Sequence, residues 1–130
     1  MAIEHINPPS MFQTPVFSQG TVVPAGSRIL FVGGQNGVGP DNKVVGDTIE
    51  AQTEQALRNV IAVLAEAGAS QKDVAKLNIH IAAGQDINAG FAASQSVWGT
   101  HATAITVLVV PAFADPDKLV EIDAIAALPG

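Results

Sequence analysis

The stretch Asp47–Gly68, DTIEAQTEQALRNVIAVLAEAG, decides the fold class. Ile49, Thr53, Ala56, Leu57, Val60, Ile61 and Leu64 recur there at the three- and four-residue spacing of one helix face. The spacing predicts a helix from about Thr48 to Ala67 with a single buried stripe. Asp47 is the expected N-cap, with Glu50 completing a capping-box-like pair, and Gly68 is the expected left-handed stop. A helix with one apolar stripe needs a second layer to cover it. The flanking sequence supplies strands.

Upstream, Thr21–Val23 and Arg28–Val32 are rich in β-branched and apolar residues and are separated by Pro24-Ala25-Gly26-Ser27. They read as a hairpin. Gly33 to Asp41 follows as a glycine-rich loop, with a short strand expected at Val44-Val45. Downstream, Leu77, Ile79 and Ile81 alternate with Lys76, Asn78 and His80, a strand with one polar face. A second helix is expected from about Ile87 to Trp98, capped by Asp86, with Ile87, Phe91, Ser94, Val97 and Trp98 facing inward. Two strands close the chain, about Ala104–Val110 and Leu119–Ala126, parted by Pro111 and the Ala114-Asp115-Pro116-Asp117 turn.

No repeat or linker divides the 130 residues, so one domain is expected over 1–130. Ile105-Thr106-Val107-Leu108-Val109-Val110 is apolar on both faces. Two helices cover one face, and neighbouring copies are the simplest cover for the other. Twelve acidic residues against six basic ones give a net charge of −6, which disfavours a nucleic-acid partner. Cysteine is absent, which excludes disulfides, thiolate catalysis and thiolate-held metals. The start, Met1-Ala2-Ile3-Glu4-His5, lacks the pattern of a signal peptide, and no apolar run is long enough for a membrane span. A cytoplasmic protein without a membrane partner is expected.

The two strands followed by Gly33-Gly34-Gln35, then Gln52-Thr53, Ala56-Leu57-Arg58-Asn59, Leu64, Ala67-Gly68 and finally Val120-Glu121-Ile122-Asp123-Ala124-Ile125-Ala126 resemble the RidA/YjgF family over roughly residues 13 to 127. The resemblance implies an α/β (α+β), chorismate-mutase-like fold: a mixed six-stranded sheet with two helices packed on one face. It further implies a barrel-like homotrimer with small-molecule ligand sites in clefts between subunits. Well-known members hydrolyse reactive imines and enamines to 2-oxo acids and ammonia, and no cofactor is implied. Older family names invoke ribonuclease activity, which the acidic composition does not support.

This chain departs from the family pattern at several points. Active deaminases carry a Pro-Ala-Arg-Ser/Thr motif whose arginine grips the substrate carboxylate with a fork of donors. Alignment lays Thr103-Ala104-Ile105-Thr106 over it, putting Ile105 (or, shifted by two, Thr103) at the arginine position. No Arg or Lys lies between Lys76 and Lys118. A Ser-Gly pair common in the family becomes Gly33-Gly34, and a common tyrosine aligns with Phe17. Glu121 is retained at the position that holds the attacking water, although a glutamate satisfied by backbone amides would look the same in sequence. A pocket lined by Phe17, Gly33, Phe91, Ile105 and Val107 suits a neutral or hydrophobic ligand better than a small 2-imino carboxylate.

Gly33 to Gly39 lacks the helix start that a dinucleotide loop requires. His5, His80 and His101 show no ligand spacing, so no metal is expected. His101, just before the cleft strand, is a candidate ligand contact as acid, base or donor, although a solvated loop histidine is the simpler reading, and Trp98 reads as a core plug rather than a stacking platform. Two readings stay open. One is a diverged imine or enamine hydrolase with Glu121 handling water; the other is a small-molecule binding or sensing protein that has lost the chemistry.

Overall fold

The computed structural model describes residues 2–130. Both helices form where the periodicity placed them. Helix α1 spans Ile49–Glu66 and α2 spans Ile87–Trp98. The strands are β1 (Glu4–Ile6), β2 (Gly20–Val22), β3 (Ile29–Gln35), β4 (Val74–Ala82), β5 (Ala104–Val110) and β6 (Val120–Ala127). No helix among the described residues is long and apolar enough to cross a membrane.

The sheet is mixed, but it is not six-stranded. Four strands run in the order β3-β6-β4-β5, with β4 and β5 parallel and the other pairs antiparallel. Strands β1 and β2 form a separate antiparallel pair. The expected hairpin between residues 21 and 32 does not form, although its turn does. Ser27 N donates to Pro24 O at 3.2 Å and Gly26 takes φ +78°. Turn chemistry permits a reversal, whereas burial chooses the partner. Pairing β3 with β6 seals Leu30 and Val32 into the core beside Ala124 and Ala126, which three-residue β2 cannot match. The strand expected at Val44-Val45 reduces to an isolated bridge between Val38 and Val44.

Alternation along each strand divides the sheet into two faces. Leu77, Ile81, Val120, Ile122, Ala124 and Ala126 meet Ala56, Leu57, Val60 and Leu64 of α1 in one core. The opposite face carries Phe31 (72% exposed) and Leu108 (52% exposed) around a polar row. Within that row Asn78 Nδ2 donates to Asp123 Oδ1 at 2.7 Å and Lys76 Nζ to Thr106 Oγ1 at 2.6 Å.

Helix ends obey local rules with one substitution of role. Thr48, not Asp47, is the N-cap of α1, its Oγ1 accepting from Ala51 N at 3.2 Å, so the Asp47–Glu50 capping box does not form. At the other end Ala69 N donates to Leu64 O and Gly68 N to Ala65 O, with Gly68 at φ +79°, a Schellman motif. Asp86 caps α2 as expected, accepting from Ala89 N. The buried face of α2 differs from expectation: Gly90, Ala93 and Trp98 are inside, while Ile87 and Phe91 are about half-exposed. Close packing on α1 requires small residues, since a Cβ at Gly90 would lie 3.3 Å from Ile49 Cγ1.

Gln52, absent from the apolar stripe, is fully buried and stitches three segments together. Its Nε2 donates to Gly46 O (2.8 Å) and Asp117 O (2.9 Å), and its Oε1 accepts from Leu119 N (2.9 Å). Gly37 lies so close that a Cβ there would come within 2.4 Å of Gln52 Cα. Gln52→Ala should therefore lower unfolding stability by about 2–4 kcal/mol, because three buried backbone groups lose their partner. Urea denaturation at constant m-value measures this, and a loss below about 0.5 kcal/mol would show that Gln52 is dispensable.

Candidate functional site

Helix α2 packs mainly on α1 and stands off the edge strand β5. The gap is a cleft of about 400 Å³. Leu57, Leu77 and Ile79 form its floor, Ile105 and Val107 of β5 one wall, and Phe91, Ser94, Gln95 and Trp98 of α2 the other. Thr14, Val16, Phe17, Gly99 and His101 close the rim. Five of the residues singled out in the sequence thus meet: Phe17, Phe91, Ile105, Val107 and His101. None of the lining residues is Asp, Glu, Lys or Arg.

Gly33, Gly34 and Glu121 do not line this cleft within one chain. The pairing of β3 with β6 shifts register between Val32 and Gln35, so that three steps on β3 match two on β6. Gly33 and Gly34 occupy this bulge. Gly34 faces the carboxyl group of Glu121 closely: a Cβ there would lie 2.7 Å from Glu121 Cδ. Space beside Gly33 is open, with nothing within 4 Å of a Cβ.

Glu121 pairs across the ladder with His80 of β4, on the sheet face away from the helices. The one ion pair among the described residues is Glu54–Arg58, at 3.6 Å on α1, so none of them pairs a cation with Glu121. His80 Nδ1 is buried without a hydrogen-bond partner. Among the described residues no group of three or more His, Asp or Glu is arranged to hold a metal.

Three features of the site escaped the sequence reading. Trp98 does plug the core, being 4% exposed, yet it also lines the cleft, and its Nε1–H is buried with no acceptor. An orphaned donor of this kind costs roughly 1–3 kcal/mol. His101 is not a solvated loop residue: it is half-buried and meets the Trp98 ring edge-on, with centroids 6.4 Å apart and planes at 83°. On its other side it borders a small polar cavity of about 200 Å³ with His5, Lys72 and Thr103. Finally, His5 Nδ1 lies 2.9 Å from both Ser18 Oγ and Ala102 O, and Ser18 Oγ also donates to Ala102 O. Two donors converging on one carbonyl make an anchor, which pins the N-terminal segment bearing Phe17 beside the cleft. A histidine and a serine thirteen residues apart, paired only by the fold, leave no sequence signal.

An α+β domain with a mixed sheet and two helices is the architecture of the Rid-type proteins. The chain belongs to the RidA/YjgF family: residues 13–128 match the family model described as Endoribonuclease L-PSP. It is 34% identical to a RutC family protein of Synechocystis, covering 81% of this chain and 82% of that one. It is likewise 34% identical to Protein HMF1 of Saccharomyces cerevisiae, covering 88% and 94%. Among solved structures, a Rid-family protein from Yersinia pestis superposes with a TM-score of 0.86 at 30% identity, covering 98% of this chain and all of that one.

The two glycines of the bulge should respond differently to substitution. Gly34→Ala should displace the Glu121 side chain, whereas Gly33→Ser should leave it in place and change stability by less than about 0.5 kcal/mol. Thermal unfolding of the two variants, with a crystal structure of the first, measures both effects. A Glu121 side chain left in place by Gly34→Ala would contradict the close approach of Gly34 to Glu121.

Proposed function

We propose that this protein is a small-molecule hydrolase acting on an imine, an enamine or a related reactive metabolite. It works as a homotrimer, with the reaction site in the cleft between subunits. Glu121 holds the attacking water, and Phe17, Gly33, Gly34, Phe91, Ile105, Val107 and His101 shape the ligand's surroundings. Family membership supports the reaction class, since imine and enamine deamination is common among RidA/YjgF proteins.

The observation that carries the reading is the state of Glu121. Its carboxylate is half-buried on the open sheet face and pairs with no cation among the described residues, and the side-chain-free Gly34 leaves room against it. A carboxylate so placed can accept a proton from water as the oxygen adds to the imine carbon. That proton then passes to the nitrogen, the tetrahedral carbinolamine collapses, and ammonia leaves as the carbonyl forms. Overall, one C=N bond and one water become one C=O bond and one ammonia.

A second reading, a binding or sensing protein without turnover, draws on one specific observation. Within one chain the cleft offers no guanidinium or ammonium to a substrate carboxylate, because Ile105 stands in the wall where active deaminases are expected to carry arginine.

Ammonia release decides between the two. Imines generated in situ, neutral ones by an amine oxidase and 2-imino acids by an amino-acid oxidase, should be hydrolysed faster with the native protein than without it. Glu121→Gln should lower kcat about 100-fold. Native protein that leaves both uncatalysed rates unchanged would rule out the hydrolase and favour the binding protein.

A further inference from the structure

We propose that the cleft between α2 and β5 binds an uncharged, largely apolar molecule bearing a hydrogen-bond acceptor, and that the Trp98 indole N–H receives that acceptor. The inference deepens the hydrolase reading, on which it rests for the identity of the acceptor as a carbonyl oxygen or an imine nitrogen.

Three observations converge on this ligand class. The first is charge. No acidic or basic side chain other than His101 lines the cleft. A carboxylate entering it would shed hydration without gaining a cation from the walls that this chain supplies. The second is Trp98. Its ring is almost wholly buried, it lines the cleft, and its Nε1–H has no partner. An indole N–H only donates, so it selects an acceptor and rejects a second donor. A site whose buried polar group is satisfied by the ligand alone discriminates strongly against analogues lacking the matching atom. The third is shape. About 400 Å³ bounded by Phe91, Ile105 and Val107 falls within the range of small-molecule sites, which combine apolar walls with few polar anchors.

His101 supplies the cleft's remaining polarity. Its ring stands edge-on to Trp98 and separates the cleft from the small cavity that holds His5 and Lys72. The lysine is on the far side of that partition and does not line the cleft.

Trp98 is the one tryptophan in the chain, so an ¹⁵N-labelled sample of the full-length protein shows a single indole N–H signal that belongs to this wall. Titrations with 1-indanone, indane and indane-1-carboxylate separate acceptor, shape and charge. 1-Indanone should move the indole proton downfield and half-saturate at a concentration about fivefold lower than indane. The carboxylate should bind weakest. Trp98→Phe should bring 1-indanone down to the level of indane, and Ile105→Arg should invert the order of ketone and carboxylate.

Native protein that prefers the carboxylate would overturn the proposal. So would equal binding of 1-indanone and indane with an unmoved indole signal, or no binding of any probe, the result expected if a sister subunit's side chain fills the cleft. Should Trp98→Phe fail to fold, the three titrations of the native protein decide alone. Ordered binding without turnover would retire the hydrolase and keep this ligand class, while turnover of 2-imino acids alone would do the reverse.

Discussion

A pleated strand sends successive side chains to opposite faces, and this constraint governs the site. Glu121 of β6 and His80 of β4 face away from the helices, whereas Ile105 and Val107 of β5 line the cleft on the helix side. Strand β4 lies between β6 and β5. The carboxylate and the cleft wall are therefore about 10 Å apart across the sheet and on different sides of it. Neither a rotamer change nor a modest loop movement within one chain brings them together. Chemistry that uses both needs the Glu121 face of one copy set against the cleft edge of another.

The polar face of α1 holds each half in place. Gln52 ties the segment before α1 to the start of β6, one residue ahead of Val120 and two ahead of Glu121. Asn59 Nδ2 donates to Asn36 O and Val38 O, and Asn36 Nδ2 to Val120 O, so the glycine-rich loop is moored to both helix and strand. Close approach at Gly37 makes this mooring possible. At the far edge of the sheet the His5–Ser18–Ala102 junction fixes the segment that carries Phe17. Rigid support at both places is what a preorganised site requires.

Helix periods and strand alternation were legible because they depend on local spacing. Both helices fall within a residue or two of the expected limits, and β5 matches at both ends. Strand partnership was not legible, since it is settled by which pairing buries Leu30 and Val32, a long-range outcome hidden from the Pro24–Ser27 turn. The inner face of α2 was misjudged for a related reason. Size alone points Phe91 inward, but the short distance to α1 admits Gly90 and Ala93 and turns Phe91 toward the cleft. Family resemblance grouped Phe17, Ile105 and Val107, which line one cleft, with Gly33, which does not line it within one chain, because an alignment does not record which face of a sheet a residue occupies. Trp98's orphaned donor and Gln52's three partners emerge only from packing.

An open sheet face bearing Phe31 and Leu108 beside an unpaired Glu121 is a surface of the kind that sister copies cover. Sedimentation equilibrium at micromolar concentration tests this most directly. The account predicts a single species of three times the chain mass. A monodisperse monomer would contradict it, because the two halves of the site would then never meet.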